Sequence, residues 1–245
     1  MKSVDSGKYN EHHIKSFLSK PIADSMLTEI LKAAQGMVAT CEEHVSVVVV
    51  QDNIRKQSIL EKYQHIEDIT KNAPVLLIFI ADFYKTNVAC EKQGAVQEVQ
   101  NGVDSLVVSS FDAGMAMAGG MLAAEKLGLG AVPIYEIRED YEQVSMILEL
   151  PKYTLPLVGL CIGYPNHNKN KKPKLPLPTF KHEEKYQKGR LENYISAYDE
   201  EIVHYLKANN LSNKNWTSEV SDLYKKQPSK ALNNFLIKQK FGIRV

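Results

Sequence analysis

The chain has 245 residues, 44% hydrophobic and 24% charged, with a formal net charge of +1. That length lets one domain bury a sizeable core, and the near-neutral balance excludes the broad basic field that recruits nucleic acid or an anionic membrane. Cys41, Cys90 and Cys161 lack the close spacing of a zinc site or a disulfide framework. Residues 1–13 carry no apolar signal core, and no continuous apolar run reaches the ~20 residues that span a bilayer, so the expectation is a cytoplasmic protein.

Ile22, Met26, Leu27, Ile30, Leu31 and Ala34 recur at helical spacing, with Pro21 before them and Asp24 in the first turn, and predict a helix with one buried face. Val45 to Val50 is β-branched except at Ser46 and reads as a strand. Residues 54–64 read as a second amphipathic helix. Pro74 to Asp82 (PVLLIFIAD) reads as a strand covered on both faces. Asp104 to Leu127 is a long helix, made slender by Ala113, Gly114, Ala116, Gly119, Gly120 and their neighbours. Interior helical glycines cost about 1 kcal/mol each. The pattern therefore predicts a second backbone close by, from a neighbouring core helix or from the same helix of a second subunit.

Gly128 is a candidate left-handed cap. Ala131 to Ile134 is a short strand, Asp140 to Leu148 a helix stopped by Pro151, and Leu155 to Ile162 a strand. Residues 166–174 form a lysine-rich loop, and two or three polar helices follow, including Asn193 to Tyr205 and Trp216 to Tyr224. The expected organisation is a single domain over 1–245, with a core to about residue 180 and a helical extension from about 181.

No HExxH, GxSxG or Walker motif occurs, and adjacent His12 and His13 diverge rather than converge on a metal. Gly128-Leu129-Gly130 follows a helix and lacks the third glycine of a dinucleotide turn. With no catalytic nucleophile, base or metal set in view, chemistry borrowed from a cofactor is the natural reading. Lys169, Lys171, Lys172 and Lys174, stiffened by Pro173 beyond a strand end, make a candidate anion site, and Lys15 is a further candidate cation.

The segments HHIKSFLSKPI at 12–22, EKLGLGAVPI at 125–134, LELPKYTLPLVGLCIGYP at 148–165 and KPKLP at 172–176 belong together. With them go Asp112-Ala113, Ile137-Arg138, His182-Glu183, Tyr186 and Trp216. By these residues the chain resembles the larger FMN-dependent nitroreductases and flavin reductases, the oxygen-insensitive NADPH nitroreductase type. The resemblance implies an α+β, nitroreductase-like fold: a mainly antiparallel sheet flanked by helices, in an intertwined homodimer with a helical C-terminal extension and FMN at the subunit interface. It implies an NAD(P)H oxidoreductase that passes hydride through FMN, by a ping-pong scheme, to nitroaromatics, quinones or flavins. No dedicated acid or base is implied, and no metal, nucleic acid or membrane partner.

Carried over residue by residue, His12, His13 and Lys15 stand where the family has arginine, serine and arginine about the flavin phosphate. Lys172 and Lys174 keep the loop cations. Thr40 and Glu43 fall in the segment that lines the ring, with Glu43 replacing a glutamine, and Tyr135-Glu136 replaces a glycine pair whose backbone approaches the ring. These replacements leave an alternative open: a dimeric relative that binds or sequesters a flavin or another phosphorylated ligand without reductase activity. In LKANNLSNKNW only Lys207 and Lys214 are cationic, which leaves NADPH and NADH both open as donors.

Overall fold

The computed structural model describes residues 14, 16–38, 43–63, 66, 70–166, 173–209, 214–225 and 231–242. The chain forms two compact units, residues 1–169 with 230–245, and residues 170–229.

The first unit is built on four strands, β1 (Val45–Val50), β2 (Val75–Asp82), β3 (Gly130–Ile134) and β4 (Thr154–Gly163), in one sheet of order β1-β2-β4-β3. All its pairings are antiparallel. Strand β2 is buried from Val75 to Ala81, which is why its sequence is apolar on both faces. Register places Val45 beside Ala81, Ala81 beside Leu155, and Ile134 beside Gly159. A Cβ on Gly159 would lie 3.2 Å from both Ile134 Cβ and Ile137 Cγ1, so glycine there lets the turn after β3 close over the sheet.

Helices α1 (Asp24–Gln35), α2 (Asn53–Leu60), α3 (Phe83–Lys92), α4 (Val103–Lys126) and α5 (Tyr141–Ile147) flank the sheet. Ile30 and Ala34 of α1 and Ala113 and Ala116 of α4 pack on the face that carries Leu77 and Phe79. Ile59 of α2 and Val144 of α5 pack on the opposite face with Leu76 and Ile78. This is the period-2 alternation of a strand resolved into two half-cores. A later helix, α9 (Ala231–Lys238), belongs to this unit, and its Phe235 and Leu236 join Phe83, Leu155 and Phe241 in a third cluster.

The helix expected over 54–64 ends at Leu60, where Glu61 and Lys62 turn and Tyr63 tucks into the core. The small residues of α4 find α1: a Cβ on Gly119 would lie 2.5 Å from Met37 Cγ and 2.8 Å from the Ala33 carbonyl oxygen. Gly128 has φ +75°, as a left-handed cap requires. By length and composition α4 could cross a membrane, with a mean hydropathy of 1.4. Its polar interruptions are too few to lower that average, although no unbroken apolar run extends through it. Its face of Ala113, Ala116, Gly119, Gly120 and Ala124 is nonetheless buried inside the unit.

The second unit holds α6 (Leu177–Phe180), α7 (Leu191–Ala208) and α8 (Trp216–Tyr224). Tyr198, Ile202 and Leu206 form its buried core, with Leu175 and Trp216 against them. The Tyr198 hydroxyl donates to the Pro173 carbonyl at 2.9 Å, and Trp216 meets the Tyr198 ring edge-on.

Candidate functional site

His12, His13, Lys15, Thr40 and Lys172 lie outside the described residues; Glu43, Tyr135, Glu136 and Lys174 lie within them. Glu43 lies two residues before the edge strand β1, with φ +47°, a left-handed backbone uncommon for a residue with a side chain. Its neighbour is fixed firmly. The His44 ring stacks on Phe83 with centroids 5.5 Å apart and planes 8° from parallel, and its Nε2 faces Asp112 Oδ2 at 3.4 Å. The His44 carbonyl accepts from the Asp82 amide at 2.7 Å. Glu43 lines a cavity of about 330 Å³, walled by apolar side chains of α1 and β1 and by Ala116 of α4, with Gln35, Ser46 and Lys85 supplying its other polar groups. Lys85 Nζ donates to the Val45 carbonyl at 2.8 Å, and Ser46 Oγ donates to Asp82 at 2.5 Å.

At the opposite edge of the sheet, Tyr135–Glu139 forms a short 3-10 helix directly after β3. Ile134 and Ile137 are fully buried and anchor it, while Tyr135 is 54% exposed. Arg138 Nε donates to the Tyr135 carbonyl at 3.3 Å, and the guanidinium carbon sits 5.8 Å from the Tyr135 ring centre. The tyrosine that replaces the expected glycine therefore stands outward on a rigid mount and does not fill the core. The turn is acidic. Burial, with Glu139, Asp140 and Glu136 adding to it, pushes the Tyr63 hydroxyl up to about 12. Asp140 is held below the usual carboxylate range by hydrogen bonds from Lys62 and the Gln143 amide.

Glu43 and Tyr135 are not neighbours. They leave opposite edge strands of the sheet, and by register Ile134 lies level with Val48, on the row formed by Gly159 and Ile78. Three inter-strand steps and about four residues of strand rise put them on the order of 15–20 Å apart.

In the second unit Lys174 is exposed on an extended segment between Pro173 and Pro176. Two prolines limit its backbone freedom. Sequence reasoning missed Lys85, although Asp82 signalled the helix that carries it: its carboxylate caps α3 by accepting from the Tyr84 and Lys85 amides at 3.1 and 3.2 Å. It also missed Lys56, 4% exposed, whose ammonium donates to the Ala73 carbonyl and whose pKa burial lowers. Cys161 is inert packing as expected: full burial raises its thiol to about 12.

A sheet with helices on both faces, a small-residue helix and an anchored turn after β3 define an α+β scaffold, and comparison with known families assigns it. Residues 39–164 match the Nitroreductase family and residues 172–244 match the Nitroreductase family C-terminal domain. The chain belongs to the nitroreductase family. It is 35% identical over 248 residues to an FMN reductase [NAD(P)H] of Bacillus subtilis, covering 99% of each chain. It is 28% identical to an oxygen-insensitive NADPH nitroreductase of Salmonella typhimurium, covering 94% of this chain and 95% of that one. Among solved structures, NfrA2 of B. megaterium aligns with a TM-score of 0.90 at 32% identity, over 98% of both chains.

The family's cofactor asks for a ligand-sized space beside the ring-lining segment, a firm backbone after β3, and cations for a phosphate. The cavity at Glu43, about 330 Å³, is of ligand size.

Proposed function

We infer that this chain is an FMN-dependent NAD(P)H oxidoreductase that reduces small-molecule acceptors of the nitroaromatic, quinone or flavin type. The observation that carries the inference is the end-to-end match, in sequence and fold, to reductases named for FMN and a nicotinamide donor. When bound, FMN would supply the hydride chemistry that links the nicotinamide donor to the second substrate in a ping-pong scheme. The chain's own residues bind and orient. Lys172 and Lys174 hold the phosphate, with Lys15 and His12 or His13 assisting; Thr40, Glu43, Tyr135 and Glu136 border the ring.

The protein acts as a homodimer, and each site draws on both copies. Helix α4 supports this, since it exposes Val103, Val107, Phe111, Met115 and Leu122 along one side. Five large apolar groups at helical spacing on a surface mark an interaction face.

The test is spectroscopic. Protein reconstituted with FMN is expected to be yellow and to bleach anaerobically with NADPH or NADH. Protein that FMN cannot reconstitute contradicts the reading, and yellow protein that neither nicotinamide reduces indicates a flavin-binding relative without reductase activity. Lys172→Ala with Lys174→Ala is expected to lower FMN affinity by at least tenfold in a fluorescence titration; unchanged affinity would place the phosphate elsewhere.

A further inference from the structure

Glu43 combines three features. Its backbone is left-handed, φ +47°, a conformation costing roughly 1 kcal/mol or more for a residue with a Cβ. Its carboxylate makes no hydrogen bond or ion pair among the described residues. And it borders a 330 Å³ cavity while the next residue, His44, is locked between Phe83 and Asp112. A strained, rigidly mounted carboxylate with no partner among the described residues, facing a ligand-sized space, is a group whose partner is the ligand.

Resting on the flavin reading above, we propose that Glu43 is the residue that sets the redox poise of this site: its negative charge faces the bound ring and holds the reduction potential of the FMN below that of a site carrying glutamine there. The physical cause is differential binding. Two-electron reduction places negative charge on the ring, and a fixed carboxylate nearby opposes that charge in the reduced state while interacting weakly with the neutral oxidised ring. Lys85 lines the same cavity and donates to the Val45 carbonyl; its positive charge offsets part of the effect, but it is common to every variant compared, so the change at residue 43 still reads the carboxylate. The consequence is a stronger reductant once loaded, suited to acceptors of low potential such as nitroaromatics and free flavins in preference to quinones.

Three proteins test this: wild type, Glu43→Gln, which removes the charge and keeps the shape, and Glu43→Asp, which keeps the charge. The readouts are the midpoint potential of bound FMN by anaerobic dye-coupled titration and the Kd for oxidised FMN by fluorescence. Glu43→Gln is expected to raise the potential by about 30 mV or more, which is a tenfold tighter hold on reduced relative to oxidised flavin. Glu43→Asp is expected to stay near wild type. The difference between Gln and wild type should narrow as salt is raised, since the carboxylate is solvent-accessible. A potential that does not move in Glu43→Gln, or that moves equally in Glu43→Asp, overturns the role of the charge while leaving the flavin reading intact. Failure of all three proteins to take up FMN overturns the flavin reading itself, and the role of Glu43 with it.

Discussion

Two adjacent glycines of α4 should respond to alanine with opposite signs. At Gly119 a new Cβ would meet Met37 Cγ at 2.5 Å and the Ala33 carbonyl oxygen at 2.8 Å. The methionine can swing away, but the carbonyl belongs to the backbone of α1 and moves only with that helix. Overpacking of this kind costs about 1–3 kcal/mol, against a gain of up to about 1 kcal/mol from replacing an interior helical glycine, so Gly119→Ala should lose about 1–2 kcal/mol. At Gly120 the nearest atoms are Ala34 Cβ and Ile30 Cγ2, both 3.7 Å away, an ordinary contact distance. Gly120→Ala should therefore keep the propensity gain, bury a methyl group, and stabilise by about 1 kcal/mol. Urea unfolding of FMN-free protein at one fixed protein concentration measures both, since ligand and self-association shift apparent stability. In thermal melts the two variants should move in opposite directions, by about 2–4 °C for each kcal/mol. A Gly119→Ala protein at least as stable as wild type would refute the claim that α1 makes glycine necessary there.

Other consequences follow from the same packing. Burial lowers the Lys56 pKa from 10.5, so between its folded value and 10.5 the unfolded chain binds more protons, and the stability contributed at this site rises with pH through that window. Lys56→Met should thus gain most over wild type near neutral pH and lose its advantage toward about pH 10; a difference independent of pH in urea titrations would contradict this. Asp82→Ala removes the acceptor for two α3 amides and for Ser46 Oγ, and should cost about 1–2 kcal/mol in the same assay. Phe111→Glu, at a residue 68% exposed on the apolar side of α4, should convert a dimer to a monomer in analytical ultracentrifugation without unfolding it.

The scaffold was legible where local pattern and burial agree. Strand β2 announced itself because both its faces are covered, and β1 because its residues are β-branched. The slender α4 was legible as a need for close approach, yet its sequence named no neighbour; only the fold brings Met37 and Ala33 to Gly119. Helix α3 was missed because Phe83 is its one buried residue, so no apolar stripe marks it, and Asp82 as a cap was the remaining signal. Helix α9 returns to the first unit through Phe235 and Leu236, a long-range choice that a short polar-flanked segment does not encode locally. At the site, the replacement of glutamine by Glu43 was plain in the sequence. That Glu43 sits in a left-handed turn beside a cavity was not, because the cavity is assembled from α1, β1, α3 and α4.

A crystal structure of the protein with FMN tests the central claim most directly. One flavin per chain is expected, its ring bordered by Glu43 of one protomer and by the partner's Tyr135, with Lys172 and Lys174 on its phosphate. A flavin whose ring touches neither Glu43 nor Tyr135, or crystals that take up no flavin while the α4 faces remain apart, would contradict it.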